Sequence, residues 1–133
     1  ERDISSGDGL SKTIIVGESS TYAYDSKGNE RRIDAGYPNG WILGTYGTGT
    51  PPDYSGGIVW NVTTIRYGVN TLEYNQPGIH EHYGPNNPLA SPHPGGAYAA
   101  LVDGAVVFLP EETDVEILKR LATRDDGRQI PEF

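Results

Sequence analysis

The sequence predicts an α+β fold: an antiparallel sheet with a C-terminal amphipathic helix and long Gly/Pro-rich loops. Three observations carry this. Two dense apolar runs, Ala97-Tyr98-Ala99-Ala100-Leu101-Val102 and Ala105-Val106-Val107-Phe108-Leu109, are separated only by Asp103-Gly104, a dipeptide suited to a two-residue hairpin turn. After Pro110, Val115, Leu118, Leu121 and Ala122, with Ile117 alongside, recur at helical spacing up to about Arg124. Pro77, Pro85, Pro88, Pro92 and Pro94 forbid helix through the long stretch before the hairpin. A chain of 133 residues fits one ordinary domain, 1–133, and its 18 Gly and 10 Pro, 28 in all, stay below low-complexity levels.

In chain order, Asp8 and Ser11 offer side-chain oxygens for a capped helical turn. The β-branched run Ile14-Ile15-Val16 then suits a buried strand. Thr21-Tyr22-Ala23-Tyr24 and Arg31-Arg32-Ile33-Asp34 flank a polar loop and read as an exposed hairpin. Residues 35–57, rich in Gly, Pro, Thr and Tyr, are expected to be loop pinned by aromatics. Ile58 through Tyr67 has strand composition, and residues 68–96 return to loop. Thr113 and Glu116 form a capping-box pair for the last helix, with Asp114 near its start and Lys119, Arg120 and Arg124 near its end.

With Asp103-Gly104 as the whole turn, Val102 lies opposite Ala105 and Ala100 opposite Val107. Tyr98, Ala100 and Val102 then share a face with Ala105, Val107 and Leu109, while Ala97, Ala99 and Leu101 share the other with Val106 and Phe108. Both faces are apolar, so the hairpin needs a covering layer on each side. One helix is in sight, and a further apolar element is expected for the second face.

The 18 Asp+Glu against 10 Lys+Arg give a formal net charge of −8, which works against nucleic-acid binding and against an anionic membrane surface. The longest apolar stretches fall far short of the ~20 residues of a spanning helix, so no direct membrane insertion by this chain is expected. Zero Cys removes disulfides, thiolate zinc sites and cysteine nucleophiles. The chain has no Met and starts Glu1-Arg2-Asp3, so an N-terminus made by processing or trimming is expected.

Several segments resemble a bacterial pilin-like family. Asp8-Gly9-Leu10-Ser11-Lys12-Thr13-Ile14-Ile15-Val16-Gly17-Glu18 is similar to that family's opening Asp-Gly-Thr-Ser-Asn-Thr, apolar run and Gly-Glu. His93-Pro94-Gly95-Gly96-Ala97, followed nine residues after the histidine by Asp103-Gly104 and an apolar strand, resembles its terminal signature. Residues 118–127 resemble its closing segment, whereas 19–90 match only loosely, through Thr63-Thr64-Ile65-Arg66-Tyr67 and Asn70. The resemblance implies a soluble head like those of type IV pilins and type II secretion pseudopilins, lacking the N-terminal hydrophobic helix. It further implies export to the cell surface and a non-catalytic structural role in a pilus-like filament or secretion pseudopilus. The partners implied are other pilin-like subunits, in a homopolymer or with a separate helix-bearing chain. Asp8, Gly9, Ser11, Thr13, Gly17, Glu18, His93, Gly95, Gly96, Asp103 and Gly104 are the motif residues, expected to be structural.

Other candidate residues have plainer competing roles. His93 and Asp103 lie roughly 30 Å apart if ten residues of strand separate them. Asp103 is expected as a turn residue tolerating positive φ, and His93 to lie near Asp114, with a shared ligand site involving Glu18 or Asp114 as the competing role. His80-Glu81-His82 is the best metal-like pattern, since His80 and His82 of an extended segment point the same way, but no third ligand is identifiable; no cofactor is expected. Asp25-Ser26-Lys27-Gly28-Asn29-Glu30 places Lys27 where a calcium loop needs an oxygen donor, so an ordinary hairpin loop is expected. Asn61-Val62-Thr63 is a glycosylation-type tripeptide at Asn61. Tyr37, Trp41, Tyr46, Tyr54 and Trp60 are expected to form a satellite core. The competing expectation is a secreted carbohydrate-binding module in which they stack on surface glycans.

Overall fold

In a computed structural model, the chain is described at residues 9–34, 48–50, 53–55, 61–80, 84–124, 127–128 and 130. Seven short strands and one α-helix appear there: β1 (Ile14–Gly17), β2 (Tyr22–Tyr24), β3 (Glu30–Arg32), β4 (Thr48–Thr50), β5 (Asp53–Ser55), β6 (Gly96–Leu101), β7 (Val106–Pro110) and α1 (Val115–Leu121). They form a three-stranded antiparallel sheet, β1-β6-β7, and two separate two-stranded hairpins, β2-β3 and β4-β5. The architecture is α+β.

The opening turn is a 3-10 turn, Leu10–Lys12, and its N-cap is Gly9, with no side-chain cap bond. Ser11 therefore lies inside the turn rather than capping it, and Asp8 lies outside the described residues. The Thr13 hydroxyl donates back to Gly9 O (3.1 Å). β1 follows as expected, but it is an edge strand and not a buried one. Ile14 packs against the core, whereas Ile15 (59% exposed) and Val16 (62%) face outward. A register shift between Ile14 and Val16 bulges the strand at Ile15.

The hairpin β2-β3 forms as read, with Tyr22 opposite Arg32 and Tyr24 opposite Glu30. Asp25 organises its loop by accepting the main-chain N–H groups of Lys27 and Asn29 (both 2.9 Å) and the Asn29 amide. These bonds, those of Asn29 first, hold the Asp25 carboxyl below its ordinary pKa. The hairpin is not wholly exposed, because Ala23 and Ile33 anchor a second buried cluster with Ile79. Within 35–57, expected to be loop, β4 and β5 pair with Thr48 opposite Ser55. Neither strand carries the apolar alternation that marks a half-buried strand. The described part of the strand expected over 58–67 is irregular from Asn61 onward. Its polar groups are satisfied by loop carbonyls instead of a ladder: Thr63 Oγ1 donates to Asn87 O (2.6 Å), and Thr64 N–H to Pro85 O (2.7 Å).

The main hairpin is present with a register one residue from that expected. Ala97 pairs with Leu109, Tyr98 with Phe108, Ala99 with Val107 and Ala100 with Val106. The connection is a three-residue loop, 102–104, in which Gly104 N–H donates to Leu101 O (3.0 Å) and Leu101 N–H to Ala105 O (2.9 Å). Gly104 takes the left-handed conformation, φ 88°, and Asp103 does not. A type I turn followed by a left-handed glycine explains this, since a type I′ turn would need positive φ at both residues. Asp103 acts instead through its carboxylate, whose Oδ1 accepts Ala105 N–H (2.9 Å).

The shift reassigns the faces. Ala97, Ala99 and Leu101 share the buried face with Leu109 and half-buried Val107, while Tyr98, Ala100, Val106 and Phe108 face outward with Val16. Over the buried face lie Leu118 and Leu121 of α1 with Val69 and Leu89 from the loops. The helix is capped by Asp114, whose Oδ1 accepts Glu116 N–H (2.7 Å), and not by the Thr113–Glu116 box. Asp114 sits one residue closer to the helix, where its carboxylate also suits the positive end of the dipole, an interaction of about 1 kcal/mol. Ala122 is exposed rather than part of the stripe.

Candidate functional site

The residues of the terminal motif assemble at one end of the three-stranded sheet. Glu18, just past β1, donates its N–H to Tyr98 O (3.0 Å), and its own carbonyl accepts Ala90 N–H (3.0 Å). Its carboxylate then reaches across: Oε2 accepts Tyr98 N–H (2.7 Å) and Oε1 lies 3.5 Å from His93 Nε2. The Ser91 side chain adds to the lowering of this carboxyl's pKa. The His93 ring stands edge-on to Tyr98 (5.3 Å), which stands edge-on to Phe108 (5.1 Å). One carboxylate thus ties β1, the 90–93 loop and β6 together.

His93 thus meets Glu18, one of the two carboxylates considered for it, while the Asp114 carboxylate caps the helix. His93 and Asp103 flank opposite ends of β6, as expected, and share no contact site. Ser91 and Tyr98 complete the Glu18 cluster and were not singled out from sequence. Their signal is weak, since Tyr98 contributes a main-chain N–H that any residue but proline supplies.

Three motif glycines have local packing and main-chain roles. Gly17 lies against Leu89, Gly95 O accepts Glu111 N–H (2.9 Å), and Gly96 is pressed against the β7 main chain at Leu109. A further staple missed from sequence is Asn87, buried, whose amide donates to Ile33 O (2.9 Å) and His80 O (3.1 Å) while its Oδ1 accepts His80 N–H (3.0 Å). It joins the β2-β3 cluster to the loop before β6.

The Tyr98 amide, more than any other neighbour, holds the Glu18 carboxyl below its ordinary value of 4.5, with Ser91 and His93 acting in the same direction and partial burial opposing them. A carboxyl with a depressed folded-state pKa stabilises the fold above its unfolded value, and that contribution is lost as pH falls through the folded value. The urea midpoint of the wild type is therefore expected to fall below about pH 4.5 more steeply than that of Glu18→Gln. Parallel midpoints down to pH 3 would remove Glu18 from the acid response.

Of the other candidates, His80 uses its main chain on Asn87 and stacks near Tyr74 at 5.8 Å, while His82 lies outside the described residues. Among the described residues no group of three His, Cys, Asp or Glu could hold a metal ion. Asn61 is exposed, with its tripeptide in irregular chain. Tyr37, Trp41, Tyr46 and Trp60 lie outside the described residues, and Tyr54 is placed only as part of β5. No helix among the described residues is long and apolar enough to cross a membrane.

The family described as a protein of unknown function, DUF1559, matches residues 2–116, which take in every described strand and the start of α1. The chain belongs to the DUF1559 family. No curated protein and no solved structure matches it. The DUF1559 match spans Glu18, Ser91, His93, Tyr98 and the Asp103-Gly104 turn alike, so the stapled sheet end lies within the family's extent.

Proposed function

We propose that the chain is a head of a non-catalytic structural subunit of an extracellular pilus-like filament or secretion pseudopilus, joined to its partners through an apolar helix packed on the outward face of the sheet. The observation that carries the reading is that face itself. Val16, Tyr98 (42% exposed), Val106 (67%) and Phe108 (37%) stand in adjacent rows with Ala100 between them, on a sheet whose other face is already covered. A helix laid across the face would bury the area these side chains still expose, at roughly 25 cal/mol per Å² of apolar surface. The resemblance to pilin-like proteins and membership of DUF1559 point the same way. Among the described motif residues, Gly9, Thr13, Glu18, Gly95, Asp103 and Gly104 take part in local hydrogen bonds and Gly17 and Gly96 lie in close packing, which supports a structural role.

The test is Val106→Asp in cells that make the native protein. Because Val106 is two-thirds exposed, the purified variant is expected to keep its wild-type melting temperature, while the protein disappears from the sheared surface fraction. A variant recovered from that fraction at wild-type levels, or a wild-type protein never found there, would sink the proposal.

A further inference from the structure

The geometry points to a second binding surface, on the β2-β3 hairpin, that takes an uncharged pyranose glycan at the corner formed by Tyr22 and Tyr24. This inference is independent of the filament reading, which uses the outward face of the three-stranded sheet.

Alternation puts Tyr22 and Tyr24 on one face of β2, and Ala23 between them is fully buried on the other. Both phenol rings therefore point to solvent, and each stays more than a third exposed. They meet edge to face, with centroids 5.5 Å apart and planes at 75°, so together they make an apolar corner and not a flat patch. The corner stands on a fixed base. Ala23 and Ile33 are buried beneath it with Ile79, and β2 is bonded on both sides. One neighbour is β3; the other is the 72–74 segment, through Tyr24 N–H on Leu72 O (2.7 Å) and Tyr74 N–H on Tyr24 O (2.8 Å). Aromatic side chains carried on a paired strand need little ordering when a ligand arrives.

Polar groups of both signs flank the corner. Pairing sets Arg32 opposite Tyr22 and Glu30 opposite Tyr24, on the same face as the rings. Asp34 accepts two bonds of 2.9 Å from the Arg32 guanidinium, which fixes its plane. The Arg32 side chain is still more than half exposed.

This mixture selects the ligand class. An apolar helix or strand laid here would strip water from Glu30, Arg32 and Asp34 without replacing it. Phosphate or sulfate groups would meet two carboxylates for one guanidinium, on a chain of formal charge −8. A cationic peptide would meet Arg32 on the same face. A pyranose ring has C–H faces for the two phenols, and its neutral hydroxyls both accept from a guanidinium and donate to a carboxylate. It answers the rings and the charges together.

Affinity electrophoresis of the whole chain, through native gels containing dextran, galactomannan, hydroxyethyl cellulose or mixed-linkage β-glucan, tests the inference. At least one of these neutral polysaccharides should retard the wild type, equally at about 0.05 and 0.5 M salt, because no ion pair with the ligand is involved. Tyr22→Ala and Tyr24→Ala should each weaken that binding roughly tenfold. A titration of the wild type with an oligosaccharide of the same linkage, followed by amide NMR, needs no variant to fold and should move the signals of residues 22–24 and 30–34. No retardation by any of the four overturns the inference, as does retardation by alginate alone or binding that salt abolishes. Undiminished binding in both tyrosine variants, or shifts confined to other residues, would place the ligand elsewhere on the chain and overturn it as well.

Discussion

Replacing Gly96 with valine is expected to lower the stability of the protein by about 3 kcal/mol, the upper end of what overpacking usually costs. A Cβ at this position would run into the carbonyl oxygen of Leu109 and stand 2.7 Å from Phe108 Cζ. The obstacle is main chain, which cannot rotate aside as a side chain does. Gly96 is also the first β6 residue paired with β7, opposite Pro110, so the strain enters where the two strands come together. Urea unfolding followed by far-UV circular dichroism reads the loss as a lower midpoint at unchanged slope. A midpoint within error of the wild type would mean that β6 and β7 are farther apart at this end than described. Gly17→Ala tests the contrast. There the added methyl meets the Leu89 side chain at 2.5 Å, a group that can shift, and a smaller loss is expected.

Leu118→Ala is expected to cost about 3–4 kcal/mol and to lower the melting temperature by roughly 10 °C or more. Leu118 is fully buried and, with Leu121, is what α1 contributes to the core over Ala97, Ala99 and Leu109. A seven-residue helix has little stability of its own, so losing this anchor should release it from the sheet as well as leave a cavity. Val106→Ala serves as the comparison. It removes an apolar side chain of similar kind from the exposed face, and a change under about 0.5 kcal/mol is expected. If Leu118→Ala were as mild as Val106→Ala, the helix would not be packed where it is described.

Local signals in the sequence located β1, the β2-β3 hairpin, the β6-β7 hairpin and α1, because each depends on residues close together in the chain. The loop character of 68–96 was equally legible, since proline removes both a donor and the helical backbone at each position. The two apolar faces of the main hairpin were also visible.

Tertiary structure decided the register. Two-residue and three-residue turns can share the same Asp-Gly, and the choice between them moves every β7 side chain to the opposite face. Packing Leu109 and Val107 under α1 leaves Phe108 free to stand against Tyr98 outside, and only the assembled core distinguishes that arrangement from its alternative. Tertiary structure also decided which partner His93 meets, because Glu18 lies 75 residues away in sequence. The irregular path of Asn61 onward has the same origin, since strand-forming side chains found loop carbonyls at Pro85 and Asn87 instead of a neighbouring strand. Sequence alone therefore determined the set of local elements and the apolarity of their faces. Long-range packing decided which face is covered, because that depends on summed contacts between distant segments that no short window of residues contains.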